Sequence, residues 1–308
     1  MQLGKLPFKL LSNLLSRVDG SDPRVILGPK PGEDAAIIEF GNEYLVAKTD
    51  PITFATDLIG WYLVQINAND IAVMGATPRW LMATLLLPEG TSENACEAIF
   101  DQLLEACKAL GISLVGGHTE ITHDLPRPIA VGAMLGEVTK DRVVFTSGAQ
   151  PGDSIVLTKG IAIEGTSLIA REASEALRAK GVSINTIKSA KELLFNPGIS
   201  VVRDALVTCN TVNVHSMHDP TEGGLATGLM EMAQAADVGL FINQSKIELF
   251  SESEELCNVL DLDPLGLIAS GALLASVSPV ETPFLIRKLA QSGIKAHVIG
   301  HVTPPDHG

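Results

Sequence analysis

The sequence predicts a two-domain protein that mixes helices and strands, in the α/β (α+β) class. Its 308 residues are enough for one large domain or two ordinary ones, and either can bury a substantial core. Short apolar runs of strand length alternate along the chain with longer segments of helical periodicity. A segment rich in turn formers at 147–153 interrupts this alternation, which then starts again. We therefore expect one domain over residues 1–147 and a second over 148–308.

The first half is predicted to alternate strands with helices. Two apolar runs at 35–40 and 44–48 flank the turn dipeptide Gly41-Asn42 and indicate a hairpin. Apolar residues at helical spacing predict a helix over 56–74, which stops at Gly75. The remaining elements of this half are a strand at 80–87, a helix at 93–110, a strand at 112–115 and a strand at 128–138.

The second half repeats the alternation as an α+β domain. Strands are predicted at 154–158, 212–216, 239–242, 272–277 and 296–302. Helical segments are predicted over 160–191 with breaks, and at 201–207, 225–236 and 282–292.

Composition and charge exclude several classes of protein. Hydrophobic residues make up 46% of the chain, yet no apolar run approaches the length of a membrane helix. The formal net charge of −14 at pH 7 opposes binding of nucleic acid. It does not oppose binding of a small phosphorylated ligand, because a bound cation can neutralise the phosphates locally. The first residues lack the features of a secretory signal, so a cytoplasmic protein is expected. The four cysteines are scattered and indicate neither a disulfide framework nor a zinc site.

Aspartates stand at predicted bends and element ends. Asp34 follows Pro31-Gly32-Glu33, Asp50 lies in Lys48-Thr49-Asp50-Pro51, and Asp70 adjoins Asn69 near the end of the 56–74 helix. Carboxylate oxygens are the ligands that Mg²⁺ prefers, so these acids together predict a site for one or two magnesium ions. The alternative for each acid alone is a helix cap or a turn.

Glycines accompany polar residues at three further places. Gly116 and Gly117 follow the predicted 112–115 strand and offer free amides to phosphate oxygens, and His118 has a side chain that can transfer a proton near neutral pH. Asp219 begins a loop that reaches Gly223 and Gly224 at the start of a helix, where an anion is favoured. Lys159 follows a strand and is a candidate phosphate ligand. The alternatives are a structural histidine, an ordinary helix cap and an exposed lysine.

Read in order, these signatures resemble an ATP-binding superfamily. It contains aminoimidazole ribonucleotide synthase, selenophosphate synthetase, thiamine-monophosphate kinase and the hydrogenase maturation protein HypE. The resemblance runs from Gly32-Glu33-Asp34-Ala35-Ala36, through the segment 69–78, to Asp219-Pro220-Thr221-Glu222-Gly223-Gly224. It is closest to HypE, on the residues 219–227 and on Leu262-Asp263-Pro264-Leu265.

The resemblance implies a PurM-like fold in which N-terminal strands of two subunits form a barrel across a homodimer. It implies ATP and Mg²⁺ as ligands, and phosphorylation of an amide-type oxygen or another acceptor as the chemistry. The implied metal ligands are Asp34, Asp50, Asp70 and Asp219. We expect Asp70 and His118 to be the catalytic residues, His118 because its side chain can transfer a proton near neutral pH. We expect the nucleotide to contact Asp34, Thr49, Asn69, Gly116, Gly117, Lys159, Asp219, Gly223 and Gly224.

Departures from the family leave the reaction open. HypE carries an acceptor cysteine near its C-terminus, whereas this sequence has no cysteine after Cys257. His118 stands where HypE and thiamine-monophosphate kinase usually have aspartate. We therefore keep three hypotheses: a HypE-like enzyme whose acceptor comes from a small molecule or a partner protein, a small-molecule kinase or cyclising synthase, and a non-catalytic ATP-binding maturation partner.

Overall fold

A computed structural model describes residues 6–18, 22–53, 55 and 57–307 of the chain. The chain divides into two compact units, each described below by itself. The N-terminal unit contains residues 22–28 and 34–143. The C-terminal unit contains residues 29–33 and 144–307 together with the described part of the first 21 residues, where helix α1 (Phe8–Leu15) lies. The predicted division between residues 147 and 148 stays a prediction.

The N-terminal unit is a six-stranded mixed sheet with two helices. Its strands lie in the order β1-β2-β3-β6-β4-β5; β4 and β5 run parallel, and the other neighbours are antiparallel. The elements in chain order are β1 (Val25–Leu27), β2 (Ala36–Phe40), β3 (Glu43–Ile52), α2 (Ile59–Val73), β4 (Thr77–Pro88), α3 (Glu93–Leu110), β5 (Ser113–Thr122) and β6 (Ile129–Thr139). The predicted hairpin is confirmed as β2 and β3, and the predicted helix over 93–110 as α3.

Helix α2 is buried along nearly its whole length, although it contains Asn67, Asn69 and Asp70. Two glycines of β6 let it pack closely against the sheet. A Cβ on Gly132 would stand 2.5 Å from Nδ2 of Asn67, and a Cβ on Gly136 would stand 2.3 Å from Cγ2 of Ile71. Polar groups on a buried helix need partners from neighbouring elements, so the close packing brings these side chains into defined contacts.

Strand β5 differs from its prediction. The sequence placed its end at Val115, but the strand continues through Gly116, Gly117 and His118 to Thr122, paired with β4 along its length. Gly117 has a φ of +149°, and a Cβ there would stand 1.8 Å from the carbonyl oxygen of Ala83. The prediction was wrong because glycines were taken as a strand end, whereas here they permit close strand pairing.

The C-terminal unit contains a five-stranded antiparallel sheet in the order β8-β10-β7-β11-β9. Its strands are β7 (Ser154–Thr158), β8 (Val214–His218), β9 (Gly239–Ile242), β10 (Leu274–Val277) and β11 (Ala296–Thr303). Its helices after α1 are α4 (Ile163–Glu172), α5 (Ser174–Ala179), α6 (Ile184–Glu192), α7 (Val202–Cys209), α8 (Gly224–Ala236), α9 (Ser251–Leu260) and α10 (Thr282–Gln291). Sequence periodicity did not predict α1, β1 or α9.

One core of the C-terminal unit lies between its sheet and α8. Ile155 and Leu157 of β7, Leu274 of β10 and Ile299 of β11 are buried together with Leu225 and Met232 of α8.

Among the described residues, no helix has both the length and the apolar character that crossing a bilayer requires.

Candidate functional site

Two aspartates meet in the N-terminal unit. Asp34 lies just before β2 and Asp70 lies in the last turn of α2; they are 8% and 4% exposed. Each offers a carboxylate oxygen, and these two oxygens lie within 4.8 Å of one another. Buried like charges at this separation repel, and a cation placed between them relieves the repulsion. The two acids therefore fit a hard divalent ion, which prefers oxygen ligands.

A lysine already approaches these acids. Nζ of Lys48 on β3 lies 3.5 Å from Oδ1 of Asp70 and 3.7 Å from Oδ2 of Asp50. Lys48 belongs to the motif Lys48-Thr49-Asp50-Pro51, but only Thr49 and Asp50 of that motif had predicted roles. The signal was present, since residues i and i+2 of a strand point to the same face and thus place Lys48 beside Asp50.

Asn67 fixes the backbone at Asp50. The amide N–H of Asp50 donates to Oδ1 of Asn67 at 3.0 Å, and Nδ2 of Asn67 donates to the carbonyl oxygens of Asp50 at 3.3 Å and of Leu63 at 2.9 Å. Gly132 pairs with Asp50 across the sheet and leaves room for this amide. This contact of Asn67 was not predicted from the sequence.

Two other predicted residues adjoin these contacts in sequence. Asn69 is fully buried on α2, directly before Asp70. Thr49 lies on β3 between Lys48 and Asp50 and pairs with Ala133 of β6. Their predicted contacts with a nucleotide stay predictions.

His118 lies elsewhere on the same sheet. Strands β6 and β4 separate β3 from β5, which puts the β5 backbone about 14 Å from that of β3. The side chain of His118 is 63% exposed, and its Nε2 lies 3.0 Å from Oε2 of Glu120. Gly116, Gly117 and His118 line one side of a cavity of about 330 Å³ whose other walls include Leu85 and Phe100. Two strands of the sheet, β6 and β4, thus lie between His118 and β3, the strand that carries Lys48 and Asp50.

In the C-terminal unit, Asp219 follows β8 and is 2% exposed. Gly223 and Gly224 come at the start of α8 with φ values of +83° and +65°. A Cβ on Gly224 would stand 2.4 Å from the carbonyl oxygen of Leu265. The amide of Gly224 donates to Thr221, so these glycines serve a tight turn and a close approach of two loops.

Lys159 is buried in an ion pair of the C-terminal unit. Its Nζ donates to the carbonyl oxygen of Ser200 at 2.6 Å and lies 3.3 Å from Oδ1 of Asp204. The hydroxyl of Thr158 donates to the same carboxylate oxygen at 2.7 Å. Burial lowers the pKa of Lys159, and the nearby carboxylate of Asp204 opposes that change. The predicted role of Lys159 at a phosphate stays a prediction, but its ammonium group has structural partners.

A second acidic pair lies in the C-terminal unit and was not predicted. Burial raises the pKa of Glu164, in the first turn of α4, to about 7; the nearby Ser270 side chain opposes the rise, and the carboxylate of Glu222 adds to it. Such a carboxyl group changes charge near neutral pH.

The chain matches one family over both halves. Residues 32–138 match the N-terminal domain of AIR synthase related protein, and residues 150–308 match its C-terminal domain.

Named relatives align with nearly the whole chain. A putative hydrogenase expression/formation protein of Methanocaldococcus jannaschii is 28% identical over 307 residues, which cover 97% of this chain and 87% of the relative. A carbamoyl dehydratase HypE of Rhizobium leguminosarum bv. viciae is 27% identical over 290 residues, with 90% and 79% covered.

Solved structures share the fold. HypE in its complex with HypF superposes with a TM-score of 0.78 at 22% identity, covering 97% of this chain and 94% of the other. HypE in complex with ATP superposes with a TM-score of 0.69 at 21% identity, covering 94% and 81%.

Proposed function

Since the chain belongs to the AIR synthase related family, we propose that it is an enzyme that binds ATP with Mg²⁺ and phosphorylates an amide or carbamoyl oxygen. The observation that carries this proposal is the meeting of the Asp34 and Asp70 oxygens within 4.8 Å beside the ammonium group of Lys48. Relatives with the HypE name, which are carbamoyl dehydratases, and a HypE structure with ATP support the choice of chemistry.

The donor set fits magnesium better than zinc. Asp34, Asp50 and Asp70 offer only oxygen ligands, the kind that Mg²⁺ binds together with substrate phosphates. When bound, Mg²⁺ neutralises phosphate charge during transfer. We assign Asp34 and Asp70 as its ligands. Asp50 and Asp219 keep their predicted roles at the metal, each to be tested by its own asparagine variant.

The chain's own residues hold the phosphates and the acceptor in place. Asn67 fixes the backbone of Asp50, and burial limits the movement of Asp70 and Asn69. In the proposed step the acceptor oxygen attacks the γ-phosphorus, the bond to the β-phosphate oxygen breaks, and ADP leaves. The acceptor oxygen then carries phosphate and is a better leaving group. Positioning of this kind supplies most of the catalysis in phosphoryl transfer.

The acceptor is proposed to come from a small molecule or from a partner protein. A structure of HypE with HypF shows that a protein of this fold assembles with another protein. His118 is proposed as the proton-transfer residue, because its imidazole is exposed to an incoming molecule.

The four cysteines are free thiols, as a cytoplasmic location favours.

An exposed strand edge supports a homodimer. Most side chains of β5 face solvent, and β5 ends the described sheet. Val115 and Ile121 on β5 and Leu104 on α3 are 55%, 54% and 52% exposed. An exposed strand edge can pair with another chain, and exposed apolar residues grouped together mark interaction sites. Light scattering on the purified protein is expected to give twice the mass of one chain; a monomer at micromolar concentration would reject the dimer.

ADP release tests the proposed function. Purified protein is mixed with ATP and Mg²⁺, with and without amide or carbamoyl compounds, and ADP is followed with time. We expect acceptor-dependent turnover, which Asp70→Asn abolishes together with MgATP binding. Asp101→Asn, which alters an exposed acid of α3, is the matched control and is expected to behave as wild type.

The remaining hypotheses give other results in the same assay. A stoichiometric complex with ATP and no turnover would identify a non-catalytic binding partner. Phosphate transferred stably to a small alcohol or phosphate ester would identify a kinase. Unchanged MgATP affinity in Asp70→Asn would remove Asp70 from the site.

A further inference from the structure

We propose that Lys48 is an exchangeable counter-ion, which neutralises Asp70 and Asp50 before nucleotide binds and contacts the phosphates once Mg²⁺ takes its place. This inference rests on the proposed function, because it requires that the site receives Mg²⁺ and ATP. It gives Lys48 a role in making the binding of metal and the binding of nucleotide depend on one another.

The charges around Lys48 require a cation. Asp34 and Asp70 are both buried and lie close together, and Asp50 stands on the strand that carries Lys48. Buried carboxylates without a positive neighbour are strongly disfavoured. In this structure the ammonium group of Lys48 approaches two of these acids, so it supplies positive charge where Mg²⁺ is proposed to bind.

The contacts of Lys48 are loose enough to exchange. Its distances of 3.5 Å to Asp70 and 3.7 Å to Asp50 exceed those of a close charged hydrogen bond. The side chain of Lys48 remains 22% exposed, whereas that of Asp70 is 6% exposed. A shared and partly hydrated ammonium group loses little when a divalent ion replaces it at the carboxylates.

The backbone around Lys48 limits where its ammonium group can go. Lys48 lies inside β3, which pairs with β2 and β6, and Asn67 holds the backbone of Asp50 on the same strand. The ammonium group therefore remains near the site after displacement. Repulsion from Mg²⁺ and attraction to the triphosphate then favour a contact with phosphate oxygen.

The consequence is a reciprocal coupling. Before nucleotide binds, Lys48 competes with a metal ion for Asp70 and weakens metal binding. With nucleotide present, Lys48 is drawn to phosphate and the carboxylates become available. By linkage, the metal strengthens nucleotide binding by the same factor.

Lys48→Met tests the proposal because methionine has similar length and no charge. Binding of Mn²⁺ alone is measured by electron paramagnetic resonance, and binding of ATP in excess EDTA by calorimetry. We expect Mn²⁺ to bind about tenfold more tightly to the variant, and metal-free ATP to bind about tenfold more weakly. Lys48→Arg keeps the charge and is expected to stay within about twofold of wild type for Mn²⁺.

Two controls make the result specific to this site. Lys140→Met removes an exposed lysine that pairs with Glu39 in the same unit and is expected to change neither affinity. The double variant Lys48→Met/Asp70→Asn is expected to lose the gain in Mn²⁺ affinity. Circular dichroism and a urea titration confirm that each variant is folded.

The outcomes separate this inference from the proposed function. If Lys48→Met is folded and either of its two affinity shifts is missing, the inference is overturned. If wild-type protein binds MgATP but shows no acceptor-dependent turnover, the proposed catalysis fails while the exchange role of Lys48 stands on both shifts. If wild-type protein binds no ATP at all, both fail.

Discussion

The two units each contain a lysine beside a buried aspartate, but the two pairs have different surroundings. In the C-terminal unit, Lys159 is 8% exposed. Its Nζ donates to the carbonyl oxygen of Ser200 at 2.6 Å and lies 3.3 Å from Oδ1 of Asp204. In the N-terminal unit, Lys48 is 22% exposed and is shared between two acids at longer distances. The first pair has all the partners of a structural ion pair. The second pair is looser and partly exposed to solvent, as the proposed exchange with a metal ion requires.

The difference teaches how to assign buried lysines. A lysine that follows a strand near a predicted phosphate site is a candidate phosphate ligand, and Lys159 was predicted as one. That role stays a prediction; in the structure Lys159, which directly follows β7, contacts Ser200 and Asp204 at the start of α7. Lys48 received no predicted role, although it approaches the acids proposed to bind magnesium.

The largest expected effect comes from breaking the tight pair. Lys159→Met leaves Asp204 buried without its cation, so we expect the unfolding free energy to fall by about 3–5 kcal/mol. Lys48→Met also uncovers a buried acid, Asp70, but it is expected to lose less, about 1–2 kcal/mol, because its ammonium group lies 3.5 Å from Asp70 and 3.7 Å from Asp50 and is partly exposed to solvent. Urea titrations of both variants measure the two losses. Equal losses would contradict the distinction between the pairs.

A smaller effect is expected from removing the amide that supports the loose pair. Asn67→Ala loses three hydrogen bonds, and we expect a loss of about 2–3 kcal/mol in unfolding free energy together with weaker Mn²⁺ binding. Gly132→Ala places a methyl group against Asn67. A double-mutant cycle should show that Gly132→Ala costs less when Asn67 is already alanine; additive losses would count against this contact.

Glu164 extends the comparison of the two lysine–aspartate pairs, because the charged group that acts on it is another acid, Glu222. Its pKa is raised by burial to about 7, above the ordinary 4.5. The folded state keeps a proton that the unfolded chain releases, so the unfolding free energy falls as pH rises from about 4.5 to 7. Glu164→Gln cannot ionise and lacks this fall.

At pH 8 we therefore expect Glu164→Gln to be more stable than wild type by about 1 kcal/mol, and at pH 4.5 to lose that advantage. Urea titrations at the two pH values measure the difference. The same pH dependence in both proteins would show that the surroundings of Glu164 accept its charge.

The smallest effect on stability is expected at His118, whose ion pair with Glu120 is exposed. His118→Gln is expected to change the unfolding free energy by less than about 0.5 kcal/mol. If His118 transfers a proton, turnover falls by about 100-fold or more while MgATP affinity is kept. Full turnover in the variant would withdraw His118 from the proposed mechanism.

Much of the fold followed from local patterns. Helix α3 was predicted with its observed ends, because Ser92 caps it and Gly111 ends it in a left-handed conformation. Helix α2 was predicted too long at its start, and β5 was ended too early at its glycines. Both errors arose where neighbouring strands or helices, rather than local preference, determine the backbone.

The candidate site was predicted in part. Asp34 and Asp70 were predicted as metal residues, and the structure brings their oxygens together. Lys48 and Asn67 were missed as partners, since neither belongs to a set of residues that prefers a metal. Their roles follow from the pairing of β3 with β6 and the packing of α2 on that sheet.

By itself, the sequence determined that strands alternate with helices, where most of them begin and end, and which acids stand at their ends. These features depend on hydrophobic period, caps and turn formers, which act between residues a few positions apart. Only the tertiary structure decided which lysine faces which acid, because ion pairs depend on the approach of distant strands and helices. The same chemical pair is thus tight and buried at Lys159 but looser and partly exposed at Lys48.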